Sequence, residues 1–152
     1  MKGRTFAWAL VVLAAAAVLA QGRRWHDRLE ASRLLVQVEA ISVAAVASGR
    51  DPCAFLPANL QALDRAAELA PADFEVPMDR GSLYLLCGSP RAAIEPYRRA
   101  AALEPHPEIY LHLGEALLQA GEAAEARQSF RLAVELNPLF AGRVPPSQAL
   151  TR

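Results

Sequence analysis

The chain has 152 residues, of which 53% are hydrophobic and 21% are charged, and this length is enough for one domain. Its sixteen basic and sixteen acidic residues balance, but residues 1–35 carry a net charge of +4 and the remainder carries −4. A mildly acidic domain argues against nucleic acid as its partner.

The N-terminal segment, residues 1–22, is strongly apolar. Every residue from Phe6 to Ala20 is apolar, and Lys2 and Arg4 precede this stretch. The stretch is shorter than the roughly 20 residues that span a bilayer, yet it is long for the core of a signal peptide. We predict a hydrophobic N-terminal helix that attaches the chain to a membrane. A cleaved signal peptide and a buried helix are the alternatives.

The sequence predicts the orientation of the downstream domain less directly. Arg23, Arg24, Arg28 and Arg33 lie just after the apolar stretch and, by the positive-inside rule, favour a cytoplasmic domain. A short first anchor with a basic N-terminus instead favours transfer of the downstream domain across the membrane. We predict a membrane-anchored chain with an extracytoplasmic domain, periplasmic or exported, and the cytoplasmic face stays open.

Residues 23–72 form a first helical unit. A helix is predicted from about Trp25 to Ser48, and its second half, from Leu34 to Ala47, has only Glu39 as a charge. A helix that is apolar on nearly all sides requires cover on nearly all sides. We expect it to pair with a second helix over Leu56–Ala70, after a loop at 49–53.

Two further units, residues 73–106 and 107–140, repeat each other with a period of 33 residues. A fixed period of this length is typical of stacked helical hairpins. Ala93, Tyr97, Ala100 and Pro105 recur as Ala126, Phe130, Ala133 and Pro138, and Gly81, Leu85 and Gly88 recur as Gly114, Leu118 and Gly121. Within the last unit, Tyr110, Leu113, Gly114 and Leu117 share one face of a helix, and Gly114 allows close approach of a neighbour.

At these residues the chain resembles the tetratricopeptide repeat (TPR) family, whose pattern is W-x2-L-G-x2-Y, then G, then A-x3-F-x2-A-x4-P. Residues 107–140 match almost throughout, whereas Pro77 and Arg80 depart from the pattern in the unit before. The resemblance implies an all-α, right-handed solenoid of helical hairpins. We predict about three units, with the first unit, residues 23–72, degenerate, preceded by the N-terminal hydrophobic helix. The tail, residues 141–152, is too short and proline-broken to form a capping helix.

The resemblance also implies a concave groove lined by the first helix of each hairpin. Its surface combines acidic and apolar side chains, which favours a basic or apolar helix or extended segment of a protein partner. TPR co-chaperones that bind a C-terminal carboxylate use Lys, Arg and Asn in this groove, and those types are absent from the corresponding positions here. The predicted groove residues are Glu75, Met78, Asp79, Ser82, Leu85, Glu108, Leu111, His112, Glu115 and Leu118.

The two cysteines, Cys53 and Cys87, are 34 residues apart, about one repeat. Equivalent points of neighbouring units are about 10 Å apart, whereas a disulfide needs Cα atoms within about 7 Å. A disulfide therefore requires the loop around Cys53 to approach the second unit. Two semi-buried thiols are the alternative, and a metal site is disfavoured because no histidine lies nearby in the sequence.

Catalysis finds little support in the sequence. Asp79, Ser82 and His112 could approach one another across adjacent helices, but Ser82 lacks the G-x-S-x-G turn and an open groove excludes no water. We predict no cofactor and no metal.

The predicted function is that of a membrane-anchored scaffold or adaptor for protein interactions, in the cell envelope. The alternative is a small structural subunit that is permanently packed into a larger membrane complex or filament. An export or assembly factor for envelope polymers is a third option that the sequence does not separate from the first, and a homo-oligomer also stays open.

Overall fold

The computed structural model describes residues 2–146, with side chains from residue 13 onward, and every regular element in this range is helical. The α-helices are α1 Lys2–Ala47, α2 Leu56–Leu69, α3 Glu75–Leu86, α4 Pro90–Leu103, α5 Pro107–Ala120 and α6 Ala123–Leu136. Short 3-10 helices span Pro52–Phe55 and Pro138–Arg143. Each α-helix packs against the next one along the chain, which gives a row of hairpins. The predicted all-α solenoid of helical hairpins is confirmed. We call α1 with α2 unit one, α3 with α4 unit two, and α5 with α6 unit three.

The first helix of every unit ends in the same turn. Gly49, Gly88 and Gly121 follow these helices with φ of 68°, 66° and 91°, a left-handed conformation that glycine adopts without steric cost. The residue after each glycine donates its N–H to a carbonyl five residues earlier, from Arg50 to Ala45, from Ser89 to Tyr84 and from Glu122 to Leu117, at 2.9, 2.8 and 2.8 Å. Unit one therefore has the same turn as the other units, although its sequence departs from theirs.

One buried aromatic ring holds together each of units two and three. Tyr97 and Phe130 are 1% and 0% exposed, and each ring lies against a glycine of the preceding helix. A Cβ added to Gly81 would come within 2.8 Å of the Tyr97 ring, and one added to Gly114 within 2.6 Å of the Phe130 ring. Only glycine allows the two helices to approach this closely. The two rings occupy equivalent environments, as the 33-residue period predicts.

An insertion distinguishes unit one. Helices α4 and α6 begin directly after the turn, whereas five residues, 51–55, separate the turn from α2. The insertion forms the 3-10 helix Pro52–Phe55, in which Cys53 is joined by a disulfide to Cys87 at the end of α3, with Cα atoms 5.5 Å apart. Because the inserted residues lean toward unit two, the Cα atoms lie closer than the spacing between equivalent points of neighbouring units.

The N-terminal helix is one continuous element, although the sequence suggests two segments. Helix α1 runs from Lys2 to Ala47, through Gly22, because a single glycine costs a helix only about 1 kcal/mol relative to alanine. Among the described residues, no helix has both the length and the apolar character that crossing a bilayer requires. The predicted membrane-spanning segment therefore has no support there, and the side chains of residues 1–12 lie outside the described part of the chain.

The expectation that the second half of α1 is covered on nearly all sides is wrong. Ala31, Leu35 and Val38 are buried against α2 and α3, but Val36 and Val43 are 64% and 60% exposed. Among the described residues, α1 contacts α2, the 3-10 helix Pro52–Phe55 and α3, and its opposite face is exposed.

At the other end of the row, the residues after α6 cover part of unit three. Phe140 and Val144 pack against the buried core of units two and three, whereas Leu139 is 86% exposed. Asn137 stabilises the start of this segment, since its side-chain oxygen accepts a hydrogen bond from the N–H of Leu139 at 3.0 Å. Residues 147–152 of the predicted tail lie outside the described residues.

Candidate partner-binding cleft

Helices α1, α3 and α5 lie side by side along the row. Between α1 and α3 runs an open cleft with two parts that share Glu39 and Asp79, and the larger part has a volume of about 540 Å³. We call both parts together the α1–α3 cleft. Its lining comprises Ser32, Leu35, Val36, Val38, Glu39, Ser42 and Val43 of α1, Glu75, Met78, Asp79, Ser82, Leu83 and Leu86 of α3, and Phe74, His106 and Glu108.

Exposed apolar side chains form much of the cleft. Val36 and Val43 are seven residues apart on α1, so they lie on the same face of that helix, about 10.5 Å apart along its axis. Leu86, at the end of α3, lines the same part of the cleft as Val43 and is 48% exposed. Exposed apolar side chains that line a cleft are typical of an interaction site.

The charged lining of the cleft is acidic. Among the described residues that line it, Glu39, Glu75, Asp79 and Glu108 are carboxylates, and none is lysine or arginine. Arg143 lies 3.5 Å from Glu108, whereas no ion pair to the other three is found in the described part of the chain. The cleft therefore presents negative charge beside an apolar surface.

Of these four carboxylates, Asp79 has the pKa that is shifted most from its ordinary value. Burial raises the pKa of Asp79 to about 7, and repulsion from Glu75, Glu39 and Asp73 adds to the shift. The side chain is half-buried at the position where both parts of the cleft meet. Near neutral pH it is therefore an acid that either a proton or a cation from outside can neutralise.

A polar network lies beyond Asp79. The Ser82 hydroxyl donates to the carbonyl of Met78 at 3.1 Å and lies 3.1 Å from the hydroxyl of Tyr97. Burial raises the pKa of Tyr97 to about 12. The Tyr97 ring stacks on His112 with centroids 5.9 Å apart, and His112 Nδ1 lies 2.9 Å from Glu115 Oε2.

This network does not have the arrangement of a nucleophile and its base. The proton of Ser82 is directed at a backbone carbonyl, and His112 is paired with Glu115 rather than with Ser82 or Asp79. Within the described residues, no group of three or more His, Cys, Asp or Glu side chains is placed to hold a metal ion.

The ten predicted groove residues separate into four groups in the structure. Glu75, Met78, Asp79, Ser82 and Glu108 line the α1–α3 cleft, and His112 and Glu115 are half-buried on α5. Leu85 and Leu118 pack partly against the core. Including Leu111 is wrong, because its side chain is 0% exposed. Leu111 lies three residues before Gly114 and so faces the packed side of α5.

The α1 wall of the cleft was not predicted. Val36, Glu39 and Val43 lie at i, i+3 and i+7 and therefore share a face, which was the available signal. These residues were instead expected to be buried, because the second half of α1 is apolar on nearly all sides.

Comparison with known proteins agrees with this architecture. Residues 107–140 match the sequence model of the tetratricopeptide repeat family. No curated protein sequence matches the chain. Among solved structures, the chain is similar to a thermophilic TPR protein of Thermus thermophilus, with 26% identity, a TM-score of 0.65, and coverage of 81% of this chain and 62% of that one.

Two further solved structures are similar. The type III secretion translocator chaperone SycD of Yersinia enterocolitica shares 26% identity at a TM-score of 0.57, over 72% of this chain and 82% of SycD. An O-GlcNAc transferase of Thermobaculum terrenum shares 28% identity at a TM-score of 0.60, over 74% of this chain but only 20% of the transferase. The repeated glycine and aromatic positions, the shared turns and these similarities show that residues 107–140 are a tetratricopeptide repeat and that the rest of the chain resembles the fold of TPR proteins.

Proposed function

We propose that this TPR protein is a scaffold that docks a segment of another protein in the α1–α3 cleft and catalyses no reaction itself. The observation that carries the proposal is the combination of exposed apolar side chains and carboxylates in one cleft. A partner segment with apolar and basic side chains complements both features. The similarity to a translocator chaperone adds support, because that protein has the same type of fold and is named for its action on another protein.

Site-specific crosslinking tests this proposal. A photoreactive amino acid is placed at Val43, in the cleft, or at Gln128, which is exposed on α6. We expect a protein to be captured from Val43 and not from Gln128. The captured protein, once purified, should bind the wild-type chain and fail to bind Val43→Asp. Equal capture from both positions, or binding that Val43→Asp does not change, would contradict the proposal.

We further propose, from the sequence alone, that residues 1–22 attach the protein to a membrane. On the same ground we propose that the repeat domain lies on the extracytoplasmic side, in the cell envelope. Fractionation of the full chain beside a chain lacking these residues tests the attachment. Recovery of both in the membrane fraction would argue against it.

A structural subunit is the second candidate, favoured by one observation on α1. Val18, Trp25, Leu29, Val36 and Val43 are 66%, 67%, 58%, 64% and 60% exposed and recur at spacings of seven and four residues. They therefore form one apolar stripe along the helix. If the protein is a scaffold that binds its partner reversibly, a variant that lacks the residues before residue 25 should stay monodisperse. If it is a subunit permanently packed into an assembly, the same variant should aggregate.

A further inference from the structure

We propose that the occupant of the α1–α3 cleft is an amphipathic helix of the partner, with its apolar face on Val36 and Val43 and a lysine or arginine placed between Glu39 and Asp79. This inference rests on the proposed function and specifies the class of partner. It differs from the predicted groove, which was placed on α3 and α5, because α1 supplies one entire wall.

The apolar surface favours a helix over an extended segment. The cleft is bounded by helices whose backbone groups are already hydrogen-bonded, so an extended segment would find no sheet edge to pair with. The spacing of Val36 and Val43, about 10.5 Å along the axis, equals two turns of a helix and matches side chains seven residues apart on a partner helix. Leu29 continues the same stripe toward the N-terminus and is 58% exposed.

The carboxylates of the cleft favour a basic side chain on the partner, and they indicate where that side chain should lie. Glu39 of α1 and Asp79 of α3 border both parts of the cleft, and neither has an ion pair or a side-chain hydrogen bond within the described residues. Arg80, next to Asp79 in the sequence, is directed away and lies 2.6 Å from Asp64. A cation from the partner would therefore be the counter-ion that the cleft itself lacks.

The surroundings of Asp79 make the interaction dependent on pH. The groups around it are Glu39 from α1, Asp73 and Glu75 near the start of α3, Tyr97 from α4, and His106 and Glu108, which line the same cleft, while His112 and Glu115 of α5 lie near Tyr97. In the unoccupied cleft the pKa of Asp79 is about 7. A cation beside the carboxylate favours its ionised form, so binding releases a proton and becomes tighter as pH rises through 7.

The test uses the full chain and a fluorescent 18-residue peptide helix with leucine on one face and lysine on the other. Two control peptides carry glutamate in place of lysine, or serine in place of leucine. Fluorescence anisotropy at pH 5.5 and 8.5 measures the dissociation constants. We expect only the leucine–lysine peptide to bind, and to bind about tenfold more tightly at pH 8.5, because one carboxylate changes its charge.

Matched variants separate this site from general attraction of a basic peptide. Glu39→Lys should weaken binding about tenfold, whereas Glu135→Lys, the same charge change on the exposed surface of α6, should change it less than twofold. Asp79→Asn should remove most of the pH dependence.

Three results would overturn the inference: equal binding of the lysine and glutamate peptides, equal effects of the two lysine variants, or an unchanged pH dependence in Asp79→Asn. Circular dichroism of each variant shows whether it is folded, and Glu39→Gln serves as a milder change if Glu39→Lys is not. The proposed function fails separately, when crosslinks from Val43 capture no protein whose binding depends on the cleft.

Discussion

In unit three the ring of Phe130 lies on the backbone of Gly114, whereas in unit one Leu63 fills the corresponding position and Gly22, the glycine of α1 within residues 13–47, has nothing within 4 Å of an added Cβ. Both side chains are 0% exposed. Unit one has a partly buried polar contact, in which Asn59 Nδ2 donates to Ser42 Oγ at 3.3 Å, and it is linked to unit two by the disulfide.

This difference shows that one hairpin shape can be held in two ways. Unit three depends on close approach of its two helices around a large ring, and its sequence therefore matches the family pattern. Unit one keeps the glycine turn but is joined to its neighbour by a covalent link. Its helix α1 also forms one wall of the cleft.

Truncating the buried side chain at the equivalent position should lower the free energy of unfolding more in unit three than in unit one. Phe130→Ala should lower the free energy of unfolding by about 3–5 kcal/mol, because it leaves a cavity over Gly114, whereas Leu63→Ala removes a smaller side chain and should cost about 2–4 kcal/mol. Urea unfolding followed by circular dichroism measures both. A larger loss for Leu63→Ala would mean that unit one is the better packed unit.

Removing the disulfide should affect unit one selectively. Replacing both Cys53 and Cys87 by serine should cost about 3–4 kcal/mol, since the bridge closes a loop of 34 residues in the unfolded chain. Hydrogen exchange should become faster in α1 and α2 and stay unchanged in α5 and α6. Wild-type protein reduced with dithiothreitol is the control and should behave in the same way. Faster exchange throughout the chain would contradict the separate roles of the two units.

A methyl group on Gly114 tests the close approach directly. Gly114→Ala should destabilise by about 1–3 kcal/mol, because the added Cβ overlaps the Phe130 ring and the helices must separate. Gly22→Ala is the matched control on α1, where nothing lies within 4 Å of the added Cβ. That change should stabilise the helix by about 0.5–1 kcal/mol. Thermal unfolding of both variants should therefore show shifts of opposite sign.

Surface ion pairs should contribute the least to the free energy of unfolding, and the two pairs should differ. Arg80 pairs with Asp64 across units one and two at 2.6 Å, and Arg98 pairs with Glu125 across units two and three at 2.7 Å. Each should be worth about 0.2–1 kcal/mol in a double-mutant cycle. The first should be the larger, since the Arg80 side chain is 24% exposed and that of Arg98 is 46% exposed. High salt should reduce both, and a salt-independent pair would contradict this.

Much of the fold could be predicted because it is encoded by short-range spacing. Gly114 and Phe130, with their counterparts Gly81 and Tyr97, recur at one period, and a helix turns this spacing into a face. The period therefore predicted helical hairpins in units two and three and the equivalent burial of both aromatic rings. Unit one was recognisable only by its place in the series, and its shared turn at Gly49 became evident in the structure.

The cleft could be predicted only in part. The acidic positions of α3 follow from helix periodicity, but Leu111 was assigned to the wrong side of α5, because α5 packs against α3, α4 and α6 and buries more than one face. The pKa of Asp79 depends chiefly on burial between two helices, and then on nearby carboxylates that include Glu39, 40 residues away. Neither relation leaves a mark in the local pattern of residues.

By itself, then, the sequence determined which segments are helices, where they turn and which small and large residues face each other within a hairpin. These are contacts between residues near in the chain, and a regular helix fixes their geometry. Only the tertiary structure decided that α1 has one side uncovered, that the insertion brings Cys53 to Cys87, and that Asp79 meets Glu39 across a cleft. Each of these depends on how many neighbours a helix has and how far apart whole units lie.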